Sequence, residues 1–420
     1  MGAEGGYAAR YEDAWLVDGV RTPFADYNGA LAQVSPIDLG IKAARAVFVR
    51  AGVPAADVGT VIAGSMAQAS FDAYLLPRHV GLYAGVPRET PAAMVQRVCG
   101  TGFEIIAQAG DAIALKRVDL ALCVGTESMS RNPIAAYTHR GGFRMGQVEF
   151  KDFLWEALLD PAPNINMGQT AENLAQRYQI SRAEVDRFAA DSFARAVTAQ
   201  AEGFHAGEIV PVASESFELP GYCARGIRLP SAVKSFEADS HVRPSPLEVL
   251  AKLKPAFGGV QTGGNSSAIV DGAAAVLVAS SGYVRDRALK PLARLRGAAV
   301  VGVPPEVMGI GPAPAIRKLL AAAGLKLDDV DRFEINEAFG AQCLAVEREL
   351  GLDHAKVNVN GGAIAIGHPL AATGVRLTLT LARELRRRGL RYGISSACIG
   401  GGQGIALLIE NPEDATARAA

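Results

Sequence analysis

Residues 95–102 read VQRVCGTG, and Cys99 within them has the surroundings of a nucleophile. An apolar run with Phe103, Ile106, Ala107, Gly110 and Ile113 near helical spacing follows, so the sulfur falls at a strand-to-helix turn beside a helix N-terminus. Unpaired backbone N–H groups and the helix dipole favour a thiolate there. Gly100 and Gly102 leave room for a tight turn and a close ligand. Taken alone, Cys99 reads more simply as a buried small hydrophobe. Three later stretches also hold polar residues: EINEAFG at 334–340, NGGAIAIGHPLAATG at 360–374 and SSACIGGGQG at 395–404. Each follows a strand-like run, at the end where α/β folds place ligands. Gly367 and Pro369 flank His368 and fix a loop that aims its ring. Cys398 precedes glycines whose N–H groups can meet a ligand carbonyl. Asn336 and Glu337 fit a site, or merely the cap of the next helix.

These loops need a scaffold of alternating strands and helices. Residues 14–20 (AWLVDGV) read as a strand, and Ser35 and Pro36 open a helix running to about Ala51. Residues 58–64 form a buried strand, 68–94 hold one more helix, and 118–125 (VDLALCVG) form a strand covered on both faces. This alternation predicts an α/β layered fold. Past Gly125 the character changes. Residues 131–165 are loop-like, helices follow over 167–178 and from Ser181 to Gly203, and 204–260 are irregular with short strands. Residues 126–260 therefore read as an insertion, after which 268–280 return to the buried-strand style. The second half repeats the first: AGVPAADVGTVI at 51–62 aligns without a gap on AGLKLDDVDRFE at 323–334. Cys99 and Cys398 also each precede glycine-rich turns, as if at matching places in the two halves.

The 420 residues suggest two or three domains, and 49 % hydrophobic with 20 % charged residues suits a well-filled globule. A net charge of −1 without a basic face argues against nucleic acid as a partner. The apolar runs are too short and broken for a membrane span, and residues 1–12 have no apolar core of a signal peptide. The chain's end, TARAA, carries no peroxisomal tripeptide. The five cysteines are odd in number and lack metal-ligand spacing, so reduced thiols in a cytoplasmic setting and no metal are expected.

Cys99 in VCGTG, Asn336 in NEAF, His368 in GHP and Cys398 in CIGGGQG together resemble the thiolase family of acyl-CoA acetyltransferases. NMGQTAEN at 166–173, TGGNSS at 262–267 and VMGIGP at 307–312 extend the resemblance, which spans about residues 14–410 with every motif in family order. It implies a five-layered αβαβα fold of two βαβαβαββ halves, residues 12–125 with 261–290 and residues 291–412. Residues 126–260 would form an inserted, CoA-binding loop domain, and 1–11 and 413–420 flexible ends. It implies that Cys99 takes the acyl group of a 3-ketoacyl-CoA, that His368 activates Cys99, and that Cys398 moves the α-proton. His368 and an Asn336-held water would stabilise the enolate oxygen, and the N–H groups of Cys99 and Gly400 the acyl-enzyme oxygen. Coenzyme A is then a co-substrate and no cofactor is permanently bound. Ser267 would contact pantetheine, Arg243 would lie near the adenine, and Met167, Phe257, Met308 and Phe339 would wall the pocket. A homodimer or homotetramer is implied, with a larger fatty-acid oxidation complex open. Asn166 replaces the His common in acetoacetyl-CoA-specific members, and Ala371, Gly263 and Ala268 are small swaps beside the site, which leaves acyl-chain preference open. The competing readings are a ketoacyl synthase-type condensing enzyme and a non-catalytic protein that binds lipid or CoA.

Overall fold

The computed structural model describes residues 5–67, 73–136 and 139–412. Its first half runs β1 (Tyr7–Arg21), α1 (Pro36–Ala51), β2 (Thr60–Gly64), α2 (Leu76–Tyr83), β3 (Ala92–Val95), α3 (Thr101–Ala114) and β4 (Leu120–Glu127). An insertion carrying α4 (Met167–Arg177) and α5 (Arg182–Ala201) precedes β5 (Val270–Ala279). The second half runs β6 (Ala293–Gly302), α6 (Pro312–Ala323), β7 (Arg332–Ile335), α7 (Gly340–Leu350), α8 (Leu370–Arg388), β8 (Tyr392–Ile399) and β9 (Gln403–Glu410).

Local chemistry accounts for the helix ends. The Ser35 hydroxyl accepts from the Ile37 N–H ahead of Pro36, and α1 stops at Gly52, whose φ of 63° is left-handed. Capping boxes open α4 at Asn166 and Gln169 and α5 at Ser181 and Glu184. The gap-free repeat holds in three dimensions. Gly324 ends α6 at φ 69°, as Gly52 ends α1. Matching short turns, Ala55–Asp57 and Leu327–Asp329, then lead into β2 and β7.

The strands form one sheet path in the order β7-β8-β9-β6-β1-β5-β4-β2-β3. Each half is thus laid out alike, with its first strand innermost and β1 antiparallel to β6 at the seam. The second half's counterpart of β3 shrinks to a single parallel bridge, Phe333 to Val357. Helices α3 and α8 pack on each other and on strands of both halves, whereas α1 and α6 cover the outer faces, which gives the αβαβα layering. The central pair approaches through glycine. A Cβ on Gly374 would lie 2.2 Å from the Phe103 nitrogen, and one on Gly102 would lie 2.7 Å from the Gly374 nitrogen. Gly102 therefore serves a helix crossing rather than the turn or ligand approach expected for it.

Two further expectations change. The N-terminal end does not fray up to residue 11, because Tyr7 to Arg10 pair with Val300 to Gly297 in β6. Residues 1–4 and 413–420 lie outside the described part. Cys99 and Cys398 are not repeat mates: Cys99 precedes α3 whereas Cys398 lies within β8, and the counterpart of the Cys99 loop is the His368 loop before α8. The insertion occupies the place that a Gly400–Gly402 hairpin fills between β8 and β9. Fully buried Arg21 at the end of β1 pins it, with Nε 2.7 Å from Glu208 and Nη1 2.6 Å from Asp239.

Candidate active site

The Cys99 loop is a strained turn. Val98 has φ 44°, a left-handed conformation unfavourable for a β-branched side chain. Its neighbours hold it there. The Thr101 hydroxyl accepts from the Arg97 N–H at 2.9 Å and donates to the Val98 carbonyl at 2.7 Å. The Arg97 guanidinium reaches Glu104 and Gln403, both at 2.9 Å. Cys99 follows in a short turn that feeds α3, 8 % exposed and packed among Met66, Met129, Leu154 and Leu370. Burial pushes the thiol up to about 11, only partly opposed by the backbone N–H groups of Gly400 and of Cys99 itself. Burial thus favours the thiol of Cys99 over the thiolate that its place at a helix start suggested. The helix-end effect is about a kcal/mol or less at most sites, and desolvation outweighs it.

His368 occupies the matching loop before α8 and is 5 % exposed. Its backbone N–H donates to the Ala268 carbonyl at 3.0 Å. Nδ1 lies 2.6 Å from the Thr373 hydroxyl and Nε2 lies 3.3 Å from Asn336 Nδ2. An amide nitrogen can only donate, so Nε2 accepts and Nδ1 carries the proton toward Thr373. Burial, and secondarily the Arg376 charge, push the ring down to about 3, which keeps it neutral. Nε2 is thus an acceptor facing the site.

Cys398 lies near the end of β8, fully buried beside Met308 and Ala338, with Met167 and Phe339 packed against the group. Burial raises its thiol, and the nearby Cys99 adds to the rise. Gly401 and Gly402, at φ 84° and 86°, turn the chain so that the Gly400 N–H faces the Cys99 sulfur. Cys99, His368, Asn336, Cys398 and Gly400 are therefore brought together, from loops of both halves.

A cleft of ≈ 220 Å³ leads to His368, with Met167, Phe257, Ser267, Phe339 and Trp155 on its walls. Met308 instead lies beneath Cys398, 2 % exposed. Arg243 is outside the cleft on the exposed face of the insertion, its guanidinium 5.6 Å from the Phe193 ring centre. Asn166 lines the cleft, but its side-chain oxygen is held at 2.9 Å by the Gln169 N–H in the α4 cap.

One carboxylate, Glu127, escaped the sequence reading, and a second, Glu337, was read there only as a site residue or a helix cap. Glu127, at the end of β4, accepts from Ser65 Oγ at 3.1 Å and from the N–H groups of Met66 at 3.0 Å, Ala67 at 2.9 Å and Ala371 at 3.1 Å. It ties the floor under Cys99 to the start of α8. Glu337 accepts from Ser192 Oγ at 2.7 Å, Asn358 Nδ2 at 2.9 Å and the Ile364 N–H at 3.1 Å. Burial raises both carboxyls, opposed by these donors. The usable signal was an acid placed directly after an apolar strand, as in GTES and EINE.

Similar proteins fit this geometry. The thiolase N-terminal domain family matches residues 14–282 and the thiolase C-terminal domain family residues 289–411. Mitochondrial 3-ketoacyl-CoA thiolase of Bos taurus is 44 % identical over 401 residues, covering 94 % of this chain and 98 % of that protein. Acetyl-CoA acetyltransferase of Paracoccus denitrificans is 41 % identical over 406 residues, covering 95 % and 99 %. The crystal structure of human mitochondrial 3-ketoacyl-CoA thiolase in complex with CoA superposes with a TM-score of 0.90 at 43 % identity, covering 95 % of this chain and 98 % of that one. The cytoplasmic expectation does not survive this comparison, because the mammalian relatives are named as mitochondrial. Free cysteines require only a reducing compartment, and the cytosol is not the only one. The condensing-enzyme and non-catalytic readings are not favoured by these relatives. With its two families of matching domains, a fold shared over nearly its whole length and coenzyme A as co-substrate, this chain belongs to the thiolases, the CoA-dependent acyltransferases that cleave or form 3-ketoacyl-CoA.

Proposed function

We propose that Cys99 carries the acyl group in this reaction and that His368, Asn336, Cys398 and the Gly400 N–H serve it. The convergence of these five groups from two halves of the fold supports the reading. His368 Nε2 takes the Cys99 proton as sulfur attacks the C3 keto carbon of a 3-ketoacyl-CoA. Two neutral groups make this favourable only as negative charge develops on the carbonyl oxygen, where the N–H groups of Cys99 and Gly400 receive it. The C2–C3 bond then breaks and leaves the acyl-enzyme and the acetyl-CoA enolate. His368 and a water held by Asn336 stabilise the enolate oxygen, and Cys398 protonates its carbon. Free CoA takes the acyl group from Cys99 in a second half-reaction. Synthesis runs the same steps backwards.

The preferred substrates are 3-ketoacyl-CoAs longer than acetoacetyl-CoA. The cleft is mostly apolar, and Asn166 is engaged in a helix cap rather than projecting as a barrier. Ser267 meets the pantetheine arm, with Met167, Phe257 and Phe339 along it, Met308 backing Cys398, and Arg243 reaching the adenine from the insertion. The halves are residues 12–125 with 261–290 and residues 291–412, and 126–260 is the CoA-binding insertion. The active form is a homodimer or a homotetramer: β3 ends the sheet with an edge that has no strand partner among the described residues, which a second copy can cover.

The test is CoA-dependent cleavage of acetoacetyl-, 3-ketooctanoyl- and 3-ketohexadecanoyl-CoA, with Cys99→Ser as the blank. Cleavage that the mutation abolishes, highest for the longer substrates, is expected. A Cys99→Ser enzyme with full activity would refute the assignment of the nucleophile, and a preference for acetoacetyl-CoA would refute the substrate reading.

A further inference from the structure

Helix α8 crosses the centre of the molecule with Thr373, Arg376, Thr378, Thr380 and Glu384 all buried. Arg376 is fully buried, and none of its three side-chain nitrogens has a hydrogen-bond partner among the described residues. Glu334 Oε2 lies 3.5 Å from Nη1 and likewise lacks a hydrogen bond. The other charged groups that act on Arg376 are Glu208 of the insertion, Arg21 of β1 and Glu337 after β7. Glu384, on its own helix, acts on Glu334. A core that needed only filling would hold apolar side chains here, because a poorly bonded buried ion pair costs more than such a replacement. The placement is specific. Arg376 lies about two turns along α8 from His368, and Glu334 is two residues before Asn336 on β7. His368 and Asn336 meet at 3.3 Å.

We propose that Arg376, paired with Glu334, is a positioning residue for acyl transfer: it joins the helix behind His368 to the strand behind Asn336 and sets a buried positive charge behind both. A cation there disfavours the imidazolium, so His368 Nε2 stays an acceptor in the resting enzyme. The same cation favours negative charge on the enolate oxygen that His368 and Asn336 face. Arg376 touches no substrate and acts through these two residues.

This inference rests on the roles proposed for His368 and Asn336. The full-length enzyme is compared with the double variant Arg376→Met, Glu334→Met, which exchanges the pair for apolar groups and keeps the core filled. Acetoacetyl-CoA cleavage is followed from pH 3 to 9, a range that reaches the His368 ring near 3, beside a thermal melt. The double variant is expected to stay folded, to keep its KM within about twofold and to lose roughly 10- to 100-fold in kcat. Its acid limb moves to higher pH, because His368 protonates more readily without the cation. A folded double variant with wild-type kcat, or with an unmoved acid limb, overturns the proposal. Should that variant not fold, Arg376→Gln and Arg376→Lys carry the same test: Gln raises the limb and Lys does not, and the same limb in both overturns it. His368→Gln is run in parallel. Full activity in that variant overturns the base role of His368 itself, which is a different failure.

Discussion

Replacing Glu127 with Gln removes one charge and almost no volume, so it isolates what the carboxylate does. Four donors converge on it: Oε1 accepts from Ser65 Oγ and the Ala67 N–H, and Oε2 from the N–H groups of Met66 and Ala371. An amide offers one acceptor and one donor, so one side must fail. If the NH₂ replaces Oε2, it confronts two backbone N–H groups. If it replaces Oε1, the Ser65 hydroxyl can turn round and accept, and only the Ala67 N–H is orphaned. The second arrangement is the cheaper. One buried unsatisfied donor costs about 1–3 kcal/mol, and the remaining bonds weaken as they lose their charge. Relief of the buried charge offsets part of this, which leaves about 2–4 kcal/mol. In a chain this long each kcal/mol lowers Tm by about 1–2 °C by the scaling of unfolding entropy with size, so a fall of about 2–8 °C is expected. Ala371 follows His368 by three residues, and Met66 packs on Cys99. The lost restraint therefore reaches both, and kcat should fall roughly tenfold or more. Differential scanning fluorimetry and the cleavage assay read the two effects. A Glu127→Gln enzyme that melts within 1 °C of wild type and keeps its kcat would show that the four contacts carry no weight.

Further outcomes follow from the same geometry. Because burial holds Cys99 up to about 11, its alkylation by iodoacetamide in the ligand-free enzyme should keep rising with pH through 9, and a plateau near pH 7 would contradict the neutral resting thiol. Gly374→Ala drives a Cβ to 2.2 Å from the Phe103 nitrogen, which is backbone and cannot swing aside. The expected cost is about 3 kcal/mol or more, seen as insoluble protein or a collapsed Tm, and a normal melt would refute the close crossing of α3 and α8. Cys398→Ser should leave Cys99 able to take an acyl group from acyl-CoA, measured by mass, while exchange of the acetyl-CoA α-proton with deuterated water falls by orders of magnitude. Loss of acylation with retained exchange would invert the roles given to the two cysteines.

What could be read from the sequence was local or motif-bound. Ser35 and Pro36 announce α1 because a hydroxyl cap and a missing N–H suit only a helix start. The ungapped match of 51–62 with 323–334 survives because a left-handed glycine and a short turn recur at the same spacing. The helix α8 was less legible. Its threonines, Arg376 and Glu384 suggest a solvated face, yet all are buried, since α3 and strands of both halves pack around the helix. The state of Cys99 was misread for a related reason. A helix N-terminus is visible in a sequence, whereas Met66, Met129, Leu154 and Leu370, which desolvate the sulfur, come from four separate stretches. Glu127 was missed because its four donors lie in two other loops. Tyr7 to Arg10 appeared as a loose end because nothing local marks the strand β6 that receives them.

The duplication explains why the site is built from unlike residues at like places. Each half presents a loop before its central helix, and the two helices cross at Gly102 and Gly374, so both loops open toward the same point. One copy holds Cys99 and the other His368, so two matching loops bring a thiol and an imidazole to one site. The strand ends diverge in the same way. Where β4 ends in Glu127, which braces the His368 loop through Ala371, β8 ends in Cys398 and Ile399 and runs into the glycine turn that aims Gly400 at Cys99. The loops between the last two strands diverge most: three glycines in the second half, and the whole insertion in the first. A short turn there keeps the Cys99 side of the pocket tight, and the long one supplies Met167, Phe257 and Trp155 to wall the cleft. A protein with two short turns would bring Cys99 and His368 together without the apolar wall of the cleft. One with two insertions would lose the Gly400 N–H that faces the Cys99 sulfur. The asymmetry thus gives the meeting point of two similar halves one tight side and one walled cleft.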